Sequence, residues 1–210
     1  MVRKSVLTYR GAYEGLQEEL YFLHLEDLIN HSPFPYRVAF HLKNGNGGSA
    51  KDIVLKANKY ALNVSDDMKV AVFDHDFKED SFLEALKLAE KYHIFPAFSI
   101  MNFNLFLILH KKDYYKVISK EDNYEKDLRE TYNIPKVYKI KSEKAIQLIV
   151  DQITLEDVKK AIVRAKKVNE ESKKVQPVLI DEVYQQPFLN IHIFLEQVFC
   201  LLEEDVVKTK

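Results

Sequence analysis

Three carboxylates are spaced for chemistry. Val70-Ala71-Val72-Phe73 runs straight into Asp74-His75-Asp76. An apolar run rich in Val and Phe that ends in acids reads as a buried strand with its carboxylates at the carboxyl end. Side chains alternate along a strand, so Asp74 and Asp76 share one side and His75 points to the other. Glu14 follows an earlier strand-like run, Ser5 to Ala12. Parallel strands of one sheet end on one edge, and ligands of open α/β sheets sit just outside that edge. Three acids gathered there repel one another unless a cation lies between them. Oxygen-only donors suit Mg²⁺ or Mn²⁺, and Mg²⁺ usually takes one or two carboxylates plus water and substrate phosphates. The chemistry implied is phosphoryl transfer, with a polarised phosphate oxygen, an activated water and a stabilised leaving oxygen. Glu14 serves as a ligand or as a general acid or base, and sequence does not choose. The plainer reading of Asp74 and Asp76 is a helix cap or turn.

The elements that must position these acids alternate in the right way. Ser5–Ala12 is a first strand ending at a glycine, so Gly11 and Gly15 mark a turn around Glu14. Tyr21, Phe22, Leu25, Leu28 and Ile29 recur at three and four, which predicts a helix over 18–29. Arg37–Leu42 is a second strand, and Ile53, Ala57, Tyr60 and Ala61 mark a second helix. Met68–Phe73 is the third strand. Phe82, Leu86, Ala89 and His93 outline a third helix with Asp80 or Ser81 as its cap. Ile94–Phe98 is a fourth strand, and Pro96 points to a strand end or an edge. This is an α/β pattern: a parallel sheet sandwiched by helices. Phe103–Leu109 is apolar nearly all round and predicts a short buried helix. Beyond it the composition turns charged and tyrosine-rich. Helices are expected at 121–132, 143–153, 155–169 and 190–202, with Thr154 and Asp157 as a capping box and 170–174 as a charged linker. The chain thus divides into an α/β core at 1–112 and a helical region at 113–210 packed on it.

Composition excludes several function classes. The 210 residues are 47% hydrophobic and 30% charged, which supports a packed core. The net charge of -1 carries no global footprint for nucleic acid, so any such binding needs a local patch or a partner chain. One cysteine, Cys200, rules out an internal disulfide and a multi-cysteine zinc site, and its apolar setting predicts a core thiol. No run approaches the roughly 18 apolar residues of a membrane span. Met1-Val2-Arg3-Lys4 leads into a strand rather than a signal core, so a cytoplasmic location is expected. Asn44-Gly45-Asn46-Gly47-Gly48-Ser49 is a loop and not a P-loop, because no Gly-Lys-Ser/Thr follows. His110 reads as a core or capping histidine ahead of a proton carrier or phosphate contact, and Lys111, Lys112 and the basic run Lys159–Lys167 read as solvated charge ahead of a nucleic-acid patch. Tyr114, Tyr115, Tyr132 and Tyr138 offer faces on which bases could stack, and packing between the two halves is the simpler reading.

Several blocks together resemble the RloB family. Glu14-Gly15-Leu16-Gln17-Glu18-Glu19-Leu20-Tyr21-Phe22 is similar to its Glu-Gly-x-Thr-Glu-x-x-Tyr-Phe signature. Phe73–Asp76 resembles its strand-terminal Asp-x-Asp. Ser99–His110 resembles its Ser-Asn-Pro-x-Phe-Glu-x-Trp-Leu-Leu-Leu-His segment, and 161–166 and 186–195 resemble its C-terminal blocks. The resemblance implies a Toprim-like domain whose metal acids are Glu14, Asp74 and Asp76. It also implies a nuclease acting on DNA or RNA with Mg²⁺ or Mn²⁺, in abortive infection or phage defence, beside an ABC-type ATPase. Self-association into a homo-oligomer is left open. The departures are Gln17 for Thr, Ile100 for Asn, Met101 for Pro, Asn104 for Glu and Phe106 for Trp. An amide at 104 is a poorer cation ligand than an acid, which motivates the rival expectation of a weakened subunit that docks on the ATPase.

Overall fold

A computed structural model describes residues 5–62, 68–75, 79–100, 102–115, 124–175 and 187–208. Strand β1 (Val6–Tyr13) leads into helix α1 (Leu16–Asn30), β2 (Arg37–Asn44), α2 (Ala50–Ala61), β3 (Met68–Asp74), α3 (Glu79–Lys91), β4 (Phe95–Ile100) and α4 (Phe103–Lys111). Helices α5 (Glu125–Thr131), α6 (Glu143–Val150) and α7 (Leu155–Val175) follow, then β5 (Phe188–Leu189) and α8 (Ile191–Lys208). The sheet order is β2-β1-β3-β4-β5, and every pairing is parallel except β4 with β5. This is the expected α/β sheet covered by helices, a layout consistent with a Toprim-like domain.

The alternation of side chains sorts the helices between the two faces. Tyr9, Val38, Phe40, Val70 and Val72 belong to one core, which α1, α4 and α6–α8 cover. Ala12, Ala71 and Phe73 point the other way and are covered by α2 and α3 through Ile53, Val54, Ala57, Phe82 and Ala85. Helix α1 buries Tyr21, Phe22, Leu25 and Ile29, the stripe its spacing calls for. It also reaches β2 with polar side chains: Val38 N donates to Asn30 Oδ1 at 2.9 Å, Asn30 Nδ2 donates to Val38 O at 3.0 Å, and Phe40 N donates to Glu26 Oε2 at 2.6 Å. Helix α4 buries all eight residues from Phe103 to His110, so an apolar run has no need of a polar face here. Thr154 and Asp157 do form the capping box that starts α7.

Some expectations need correction. Gly11 is no turn residue; it lies inside β1, paired with Val70, and a Cβ there would sit 1.7 Å from Val70 O. A glycine in a strand then marks close backbone approach rather than a bend. Helix α3 is under way by Glu79, so neither Asp80 nor Ser81 caps it, and His93 lies beyond its end at φ 53°. The charged stretch at 170–174 continues α7. Buried polar groups on that stretch of helix tether the chain, because Asn169 exchanges hydrogen bonds of 2.7 and 2.9 Å with Leu189 and Ser172 Oγ donates to Pro187 O at 2.6 Å. Those bonds hold β5, which adds a short antiparallel strand beside Ser99 and Ile100. Pro96 precedes that pairing, at a level where β4 has no ladder partner on its outer side. Cys200 is exposed, since Val198, Phe199 and Leu202 take the inner face of α8. No described helix is long and apolar enough to cross a membrane.

Candidate functional site

Chain direction brings two of the three acids together. Strands β1 and β3 are neighbours and parallel, with Tyr13 opposite Val72. Helix α1 crosses from β1 to β2 on one side, while β3 lies on the other, so the gap between their carboxyl ends is the switch point of the sheet. Glu14 leaves β1 there and Asp74 ends β3 there. Asp74 N donates to Glu14 Oε2 at 2.9 Å, which ties the two acidic residues across the gap. Asp74 Oδ2 in turn accepts from Phe103 N at 3.1 Å and satisfies a free amide at the start of α4. Asp74 therefore serves the start of α4, whose N-cap is Asn102, and not the helix that follows β3; the contact fixes the carboxylate at the site. Asp76 lies outside the described residues.

Around these acids is a cleft of about 300 Å³. Glu14, Glu18, Asp74, Gln17, Asn102 and Lys141 line it, with Gly47 of the glycine loop at its rim. Glu18 is nearly buried and its Oε2 accepts from Gly15 N at 3.1 Å, closing the first turn of α1. Gly47 stands at φ 69°, a left-handed conformation natural for glycine, and its N–H donates to Glu14 O at 3.0 Å. The loop thus holds the backbone that carries Glu14. Lys141 brings one positive charge from the segment before α6, and nothing in its local sequence marks it as a cleft residue. Among the described residues, no three His, Cys, Asp or Glu side chains are grouped to hold a metal ion.

Gln17 and Asn104, separate departures in the sequence, meet in the structure. Gln17 Nε2 donates to Asn104 Oδ1 at 2.7 Å, and Asn104 is buried. The pair joins α1 to α4 under the cleft. A family model described as RloB-like protein matches residues 12–198. The chain belongs to the RloB-like family. The match runs from β1 into α8 and so takes in Glu14, Asp74 and the helical second half. Searches of curated proteins and of solved structures gave no significant match.

The remaining candidates in this RloB-like chain fall on the structural side. His75 is buried edge-on against Phe82, with ring centroids 4.6 Å apart, on the α3 side of the sheet. His110 is fully buried; its Nε2 meets Tyr21 Oη at 3.1 Å and its Nδ1 meets Phe106 O at 2.9 Å. Burial pushes its imidazole down to about 4 and pushes the Tyr21 phenol up. Lys111 pairs with Asp157 at 2.8 Å. On α7, Lys159, Lys160, Arg164 and Lys166 pair with Glu203, Glu156, Asp113 and Glu196, so its basic run is largely neutralised. Tyr132 Oη donates to Leu107 O at 2.7 Å and Tyr114 stacks edge-on with Tyr124, which are packing roles.

Proposed function

We propose that this chain is the Toprim-type nuclease of an abortive-infection or phage-defence system, hydrolysing phosphodiesters of DNA or RNA in the cytoplasm with an ABC-type ATPase as partner. The observation that carries the reading is the junction of Glu14 with Asp74 at the switch point of the sheet. The donor set fits a hard divalent cation. Both side chains are carboxylates, both line the cleft, and each has one oxygen anchored by a backbone N–H. Two carboxylates are enough for Mg²⁺ or Mn²⁺, with Asp76 as a third. A bound ion supplies a polarised phosphate oxygen and a water of lowered pKa. Asp74 and Glu14 hold and orient, because the anchored oxygen of each limits rotation of its carboxylate beside the cleft. Glu18 adds negative charge, which deepens the attraction for a cation and leaves the site repelling a bare phosphate.

The rival reading, a docking subunit with a weakened site, draws on one observation. The Asn104 oxygen is already accepting from Gln17, so it offers less to a cation than a free acid does. Mn²⁺ calorimetry and cleavage assays on one set of variants separate the two. With the ATPase partner present, the wild type should cleave in Mn²⁺. Asp74→Asn keeps an oxygen for Phe103 N, and it should lose cleavage and weaken Mn²⁺ binding by more than about 100-fold, beyond the usual cost of an outer-shell change. Glu14→Gln and Asp76→Asn should behave alike. Unchanged cleavage in all three removes the proposed site, and a folded wild type that binds no Mn²⁺ favours the docking subunit.

A further inference from the structure

The glycine loop leads from the cleft to a cluster of cations on the outer side of β2 and α2. Lys43 lies opposite Ala12 in the sheet, on the face that α2 covers. Its ammonium sits 4.9 Å from the centroid of the Tyr60 ring, and the Arg10 guanidinium sits 5.3 Å from the same centroid. Lys56 Nζ donates to the carbonyl of Asn44, the residue next to Lys43 and the first of the loop that ends at the cleft. Lys59 follows Lys56 by three positions, so the two are neighbours on the helix surface. Lys43 and Lys59 are exposed, and Lys56 and Tyr60 half-exposed.

Like charges gathered on one ring repel one another, and the ring quadrupole offsets only part of that. On α7, Lys159, Lys160 and Lys166 meet carboxylates. Among the described residues, Lys43, Lys56 and Lys59 are in no ion pair. The only acid of α2, Asp52, is held by its own cap, accepting from Ser49 N at 3.1 Å and Ser49 Oγ at 2.7 Å. These cations thus stay outside the ion pairs of a chain whose net charge is -1, and they are continuous with the acidic cleft through residues 44–47. The cleft itself is too acidic to attract a polyanion. A neighbouring strip of fixed positive charge solves that difficulty.

We propose that Lys43 on β2 and Lys56 and Lys59 on α2 form a docking strip for the sugar–phosphate backbone of a nucleic-acid strand that enters the cleft over the glycine loop. The nature of the anion rests on the nuclease reading; the strip itself rests on the charges. Each lysine that contacts a phosphate releases counterions, so binding weakens with salt by a slope of about 0.7 per contact on a single strand.

The test measures binding of a fluorescein-labelled single-stranded RNA, and of DNA of the same sequence, to the full chain by polarisation across salt concentrations. EDTA is present throughout, so metal-dependent cleavage does not enter. Salt-dependent binding is expected, and the triple variant Lys43→Gln, Lys56→Gln, Lys59→Gln should flatten the log–log slope by about 2. The double variant Lys43→Gln, Lys59→Gln changes only exposed side chains and should flatten it by about 1.4, which guards against a folding artefact. Lys159→Gln with Lys166→Gln, on the neutralised helix, should leave the slope as it was. An unchanged slope in the strip variants, an equal loss in the α7 control, or no oligonucleotide bound while phosphatidylserine vesicles are, each overturns the proposal. Lost cleavage in Asp74→Asn with intact binding in EDTA bears on the cleft alone, so the two readings fail separately.

Discussion

At the scale of single residues, the site is built by atoms that do two jobs. Asp74 gives its amide to Glu14 and one carboxylate oxygen to the first turn of α4. Gly11 works three positions earlier by having no side chain at all. A Cβ would meet Val70 O at 1.7 Å and force β1 and β3 apart at the pair of strands that carries both acids. Gly11→Ala should therefore destabilise the fold by about 3 kcal/mol and lower Tm by roughly 10 °C. It should also weaken Mn²⁺ binding at temperatures where the variant is still folded; calorimetry beside thermal denaturation checks both, and a Tm within 2 °C or so of wild type contradicts the close approach. The meeting of Glu14 with Asp74 at one sheet edge was legible from sequence because charge after an apolar strand is a local pattern. Gly11 was misread because a glycine at a strand end and one at a backbone contact look the same in sequence. The bond between Gln17 and Asn104 joins positions 87 apart and has no local pattern to announce it.

At the scale of elements, α4 is the piece that the others are fitted around. Its eight buried residues include one ionisable group, His110, held by Tyr21 of α1 and by a carbonyl of its own helix. The folded chain keeps this imidazole neutral down to about pH 4, whereas an unfolded histidine protonates near 6.5. Protonation therefore favours the unfolded chain. The stability due to His110 is whole above about pH 6.5, falls as pH drops, and has gone once pH passes below 4. Between pH 7.5 and pH 5 the loss should be about 2 kcal/mol in urea unfolding. His110→Gln should be less stable at pH 7.5 but should lack most of that slope, and an equal slope in the variant assigns the effect elsewhere. The periodic helices were legible, since burial of one face writes itself into spacing. Strand β5 was not, because two residues held by Asn169 carry no period, and neither was the helical state of 170–175, where charge resembles a linker.

At the scale of the whole molecule, one core crosses the boundary expected at 112. Tyr9 of β1 packs on Phe194 of α8 at 5.3 Å, Phe34 packs on Phe199 at 6.0 Å, and Tyr132 bonds the backbone of α4. We expect one cooperative transition, with far-UV circular dichroism and tyrosine fluorescence superimposing in urea, and no folded product from residues 1–112 alone. Two separated transitions would mark the halves as independent units. The side chains that α1 lends to β2 have a consequence for assembly. Arg37 N bonds Ser5 O of the neighbouring strand, so the amides of Val38 and Phe40 face outward, where an open sheet ordinarily recruits a strand from another copy. Asn30 and Glu26 already occupy those groups. A second chain arriving at this edge meets side chains instead of a free ladder, so the protein is insulated on that flank against strand-by-strand aggregation, and any symmetric assembly is directed to other faces.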